Sequence, residues 1–161
     1  MSKMKLKLML AGVVVTCAFG GIALRFAWAT PGAGVTSGTT AGPVVLDEID
    51  VASHGADYDI KIKATKGASE CRVVHYSIVP GGHTGWHSHP GPVFVMITAG
   101  KMTLYHAADP TIAVVYPAGT GFVDYGHAHI AGNAEKEGDL QLVAFFLIPK
   151  GAAPRIDEPA P

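Results

Sequence analysis

GGHTGWHSHPGPVFV, residues Gly81–Val95, is the stretch on which the reading turns. It places three histidines, His83, His87 and His89, within seven residues. In an extended chain, residues i and i+2 share a face, so His87 and His89 can point the same way and bring their ring nitrogens together. Pro90-Gly91-Pro92 ends that segment, and Val93 opens an apolar run. Two imidazoles make a poor metal site, so a third donor must come from elsewhere. GHAHIAGN, residues Gly126–Asn133, supplies two candidates, His127 and His129, again two apart on extended-looking sequence.

Working outward, short apolar stretches alternate with turn signals from Val44 onward. YDIKIKAT (58–65) alternates strictly and reads as a half-buried strand with Ile60 and Ile62 on its apolar face. CRVVHYSIVP, VFVMITAG, KMTLYHA, TIAVVYPAG and LQLVAFFLIP follow, each rich in β-branched or aromatic residues and most ending in Gly or Pro. Ala99-Gly100-Lys101 and His106–Thr111 read as turns. No segment sustains a helical period. The expected fold class is all-β, a sandwich or barrel.

Composition agrees. Charged residues are 16% of the 161, and Gly and Pro number 20 and 11, which suits a turn-rich β domain and not a coiled coil or a disordered chain. Without a basic stripe, nothing points to nucleic acid. Lys3, Lys5 and Lys7 precede an apolar run, Leu8 to Leu24, and Ala27-Trp28-Ala29 supplies small residues before Thr30-Pro31. Residues 1–29 therefore read as a secretory signal peptide or an uncleaved membrane anchor, with the rest of the chain exported, periplasmic or extracellular. Lys3, Lys5, Lys7 and Arg25 belong to that segment, so 8 of the 12 basic and all 13 acidic residues follow it, a net charge of −5. One cysteine follows it too, Cys71, which reads as a small core residue of a strand. Residues 30–43, rich in Gly, Ser and Thr, read as a flexible linker; 44–150 as the barrel; and 151–161, with three prolines, as an extended tail.

The histidine stretch resembles the first motif of the cupin superfamily: Gly81, five residues, His87-x-His89, three residues, position 93, six residues, Gly100. Pro117-Ala118-Gly119 resembles the opening of the second motif. Two departures stand out. Val93 occupies the place of the motif-one glutamate. Phe122 stands where the motif-two histidine is due, and the His-x-x-x-Asn ending reappears seven residues later as His129 to Asn133. GFVDYGH (121–127) is then an insertion that moves the third ligand to His129, with His127 the runner-up.

The resemblance implies a double-stranded β-helix, a small jelly-roll barrel, with a metal bound inside by His87, His89 and His129. His83 is a further candidate at the barrel mouth. Trp86, Val93, Tyr105 and Phe122 are candidate pocket residues, and Asp124 and Tyr125 candidate acid/base groups. Losing the glutamate leaves three neutral imidazoles, which suit a divalent transition metal, Fe(II) first and Mn, Ni, Cu or Zn next, rather than Mg or Ca. Such a site keeps more positive charge and favours a small anionic ligand. Some three-histidine cupins are dioxygenases, so the resemblance implies an oxidoreductase of that type. A non-catalytic ligand-binding cupin and a non-redox lyase or isomerase share the same site. The membrane is approached only through the N-terminal segment, and a homodimer is compatible with the family.

Overall fold

The computed structural model describes residues 29–161. Twelve strands carry its regular structure: β1 Ala33–Leu46, β2 Ile49–His54, β3 Asp59–Ala64, β4 Ser69–His83, β5 His87–Ser88, β6 Val93–Ala99, β7 Lys101–His106, β8 Asp109–Pro117, β9 Gly121–Asp124, β10 His129–Gly132, β11 Leu140–Pro149 and β12 Ile156–Asp157. No helix occurs among the described residues.

Period-two alternation builds the wall. In β11, Leu140, Leu142, Ala144, Phe146 and Ile148 are buried while their neighbours face outward. Met102 and Leu104 do the same in β7, and Val74 and Ile78 in β4. These side chains form one core. All pairings are antiparallel, and the spatial order β12-β5-β10-β4-β11-β6-β9 joins strands distant in sequence. β1 adds to β4, and β7 bridges β10 and β8. The described residues form an all-β, antiparallel barrel-like fold. The tight turn expected at Ala99-Gly100-Lys101 joins β6 to β7. Gly100 has φ +74°, and a Cβ there would fall 3.0 Å from both the Asp139 carbonyl oxygen and Leu140 Cα.

Four expectations about the chain's organisation need revising. Residues 30–43 are not a free linker, because most of them belong to β1, which pairs with β4 over nearly its whole length. Almost no side chain of β1 is buried, so its order comes from backbone hydrogen bonds to the β4 edge, which a hydrophobicity pattern does not report. β3 is a strand as expected but not half-buried. It pairs with β2 alone, and Ile60 and Ile62 are 52% and 38% exposed. Alternation fixes which side chains share a face, not whether anything covers it. The barrel also reaches past 44–150 at both ends, since β12 in the 151–161 tail pairs with β5. Finally, Gly121–Asp124 is strand β9, paired with β6, rather than an inserted loop. The expected signal or anchor segment lies outside the described residues except for Ala29, which bridges Pro159.

Candidate metal centre

His87 and His89 lie just past the end of β4, with β4 and β5 both antiparallel to β10, and His129 opens β10, which pairs with β5 at His129↔His87. That pairing brings the two sequence-distant histidine runs together. Ring centroids of His87, His89 and His129 lie 4.9 Å (87–89), 4.3 Å (87–129) and 5.4 Å (89–129) apart. One ligand nitrogen from each lies within 4.8 Å of the others.

Their tautomers are fixed by the backbone. His87 Nδ1 donates to the Gly85 carbonyl at 2.9 Å, His89 Nδ1 to Pro154 at 2.6 Å and His129 Nδ1 to His127 at 2.8 Å. A carbonyl oxygen can only accept, so each Nδ1 carries the proton and each neutral ring keeps its lone pair on Nε2. Three preoriented Nε2 donors are what a structural or catalytic metal needs from imidazole, and the residues fit a divalent transition ion. The edge of Phe146 against His89, at 5.5 Å between centroids, packs one ring further.

Asp124 adds a charge that position 93 lacks. In the β6–β9 ladder, Val93 stands opposite Asp124, so both side chains face inward. Asp124 Oδ1 accepts the Gly126 N–H at 2.5 Å. Its Oδ2 lies 2.8 Å from His129 Nδ1, off the axis of the N–H, which points at the His127 carbonyl. That oxygen is buried with no hydrogen-bond partner among the described residues. Burial pushes the Asp124 carboxyl up, but His129 beside it, the Gly126 N–H and His89 together hold it below the usual carboxylate range. The three-imidazole set is therefore backed by one anion, and the expected excess of positive charge is partly offset one strand away from where a glutamate was due.

The other sequence candidates separate cleanly. Val93 and Phe122 line the cavity with the histidines. Tyr105 does not, because β7 turns Met102 and Leu104 inward and Tyr105 is out of phase with them. Trp86 is buried outside the cavity lining, and its carbonyl accepts the Glu158 N–H. Tyr125 is 78% exposed, one residue past the inward Asp124, so it has no place in the site. The His127 ring is exposed, and that residue contributes its carbonyl instead. His83 is the last residue of β4: its Nδ1 accepts the Gly85 N–H at 3.2 Å, and it neither joins the cluster nor lines the cavity. Sequence reasoning missed Tyr76, Pro154 and Arg155. The phase of Val74 and Ile78 could have flagged Tyr76; nothing local marks the other two.

The cavity holds about 570 Å³. Apolar side chains including Ile78, Met102, Leu142 and Phe146 wall one part, and the histidines, Asp124 and Arg155 make the polar part. Burial lowers the pKa of His87 to about 3, helped by the neighbouring His129 and opposed by the Gly85 carbonyl, and burial lowers His89 as well. Both are thus neutral in the fold and protonate more readily in the unfolded chain. Their contribution is intact above about pH 6.5 and is lost as pH falls toward the folded values, for His87 at about 1.4 kcal/mol per unit. Chelator-treated protein should lose thermal stability steeply between about pH 6.5 and 4, and much less so in His87→Gln. A flat melting profile over that range contradicts the burial of neutral rings.

No family model matches the chain, and no curated protein matches it. Among solved structures it is similar to a cupin-like protein from Thermotoga maritima, with 22% identity and a TM-score of 0.48 over 56% of this chain and 65% of that one. A Klebsiella pneumoniae protein with a double-stranded β-helix domain gives 17% identity and a TM-score of 0.46 over 70% of this chain and 80% of that one. An oxalate decarboxylase from Lactobacillus farciminis, solved as a formate complex, gives 22% and 0.45 over 54% of this chain and 26% of that one. Several of the solved structures to which the chain is similar are cupin proteins, and in this chain an all-β barrel gathers the three histidines.

Proposed function

We propose that this chain is an exported metalloprotein that holds one divalent transition ion, Fe(II) before Mn, Ni, Cu or Zn, on His87, His89 and His129, and acts as a dioxygenase-like oxidoreductase on a small anionic substrate. The observation that carries the reading is the set of three Nδ1–H donations to backbone carbonyls, which leaves three Nε2 lone pairs aimed into one cavity. When bound, such an ion supplies Lewis-acid and redox chemistry at its open coordination positions. The chain's residues do the rest. Asp124 stabilises a cationic centre through His129. Val93 leaves an uncharged wall where a carboxylate would compete with an anionic substrate. The apolar lining limits water and places the substrate body. Export rests on the residues 1–29 pattern.

Purified full chain, reconstituted anaerobically with Fe(II), Mn(II), Ni(II) or Zn(II), should carry one ion per chain by elemental analysis. No stoichiometric metal with any of them ends this reading. Tight Zn(II), weak Fe(II) and no oxygen uptake with a panel of organic acids would remove the oxygen chemistry and leave a ligand-binding protein.

A further inference from the structure

After β11 the chain returns to the histidine strand, and Pro154, Arg155 and Asp157 line the cavity. The Pro154 carbonyl accepts the hydrogen bond from His89 Nδ1–H. Ile156 and Asp157 pair with Ser88 and His87. Ser88 Oγ donates to Glu158 Oε1 at 2.6 Å, and the Glu158 N–H donates to the Trp86 carbonyl at 3.0 Å. The Thr30 N–H reaches the Glu158 carbonyl from the other side. A two-residue strand held at so many points is a fixed strap, tied to the same residues that carry the histidines.

The strap brings Arg155 into the cavity lining. Its Nε donates to Asp157 Oδ1 at 2.6 Å, and no other hydrogen bond of its side chain is formed among the described residues. Asp157 therefore orients the guanidinium while leaving the Nη1/Nη2 edge, the fork that matches a carboxylate, unspent. The Arg155 side chain is 34% exposed and that of Asp157 59%, so solvent screens the aspartate more than the arginine. Tyr76 lines the same cavity, and its hydroxyl has no partner among the described residues. Burial raises that phenol's pKa against the pull of Arg155 and Arg72, so it stays protonated and able to donate.

We infer that Arg155 is the specificity-determining residue of this cavity, taking the carboxylate of a small organic acid whose apolar body lies among Ile78, Met102, Leu142 and Phe146. A cationic fork and a phenol at the polar part, with hydrocarbon around the rest of about 570 Å³, select an acid with an apolar body over a sugar, a nucleotide or a neutral hydrocarbon. The inference deepens the proposed function and rests on it for the ion beside the acid.

The test titrates benzoate and its neutral counterpart benzamide into Co(II)-loaded full chain by calorimetry. Benzoate should bind at least about tenfold more tightly than benzamide. Arg155→Met should weaken benzoate by at least about tenfold, leave benzamide unchanged, and keep one Co(II) per chain. The visible bands of bound Co(II) report whether His89 stays seated under the strap, and Arg155→Lys, which keeps the charge but not the fork, should fall between. Equal benzoate affinity in wild type and Arg155→Met, no benzoate binding, or no preference over benzamide each overturns the inference while the metal site stands. If the wild type takes up no Co(II), the proposed function fails, and the titration of metal-free chain decides alone. Benzoate binding that depends on Arg155 then upholds the inference, and binding that does not, or none, overturns it.

Discussion

His129→Ala is expected to empty the metal centre and to destabilise the protein even without metal. The substitution removes the third Nε2 donor, and the loss in affinity should exceed the about 10- to 100-fold typical of residues that only support a ligand. It also removes the ring that Asp124 Oδ2 packs against at 2.8 Å. The carboxylate, only 3% exposed and held by one hydrogen bond from the Gly126 N–H before and after the change, loses the imidazole that favours its charge. A buried charge with less compensation costs on the order of 1–3 kcal/mol, and the vacated ring adds a cavity cost. The double variant His129→Ala/Asp124→Asn should regain part of that stability and none of the metal, because removing the anion removes the penalty but restores no donor. His127→Ala should keep its metal, since only the backbone of that residue serves the site. Release of metal by His127→Ala, with retention by His129→Ala, reverses the ligand assignment. Elemental analysis and thermal melts of the four proteins decide it.

Gly85→Ala should disable the same centre from the backbone side. Gly85 has φ +71°, where a Cβ costs about 1–2 kcal/mol. The added carbon would also stand 2.0 Å from the Thr30 carbonyl oxygen and 2.8 Å from the Pro31 carbonyl carbon, so the two segments must part. Overpacking of this kind costs about 1–3 kcal/mol more. Because the Gly85 carbonyl fixes His87 Nδ1 and its N–H donates to His83, displacement of this residue frees the first ligand's tautomer. The melting temperature should fall by on the order of 10 °C, with metal affinity lowered in parallel. Gly81→Ala is the comparison. Gly81 also has positive φ, but no atom lies within 4 Å of a Cβ there, so only the conformational cost applies and the metal should stay. Equal melting temperatures for the two variants would show that the close approach at Gly85 carries no energy.

Much of the barrel is legible in the residue pattern. The alternation in Leu140–Pro149 and Lys101–His106 announces strands and names their buried faces, because period two leaves no choice of phase once one face is apolar. The spacing of His87 and His89 announces a shared face for the same reason. His129 is separable from His127 in the sequence only through the motif, since both lie on extended sequence two residues apart. His127 precedes β10, so the alternation that turns His129 inward does not extend to it, and its ring stays exposed. Tyr105 and Tyr125 are misplaced for another reason: they lie in the right strands or next to them, but one residue out of phase with the inward set.

The all-β class, the barrel's inward residues and the pair of histidine runs follow from local periodicity and covalent spacing, so the residue order alone suffices for them. Which carboxylate serves the site depends on the assembled barrel. Strand pairing, with Val93 opposite Asp124, is a relation between segments about thirty residues apart that neither segment encodes alone. Assembly likewise makes most of residues 30–43 a strand and brings the proline-rich tail to the cavity lining, since both are held by hydrogen bonds whose partners lie far along the chain.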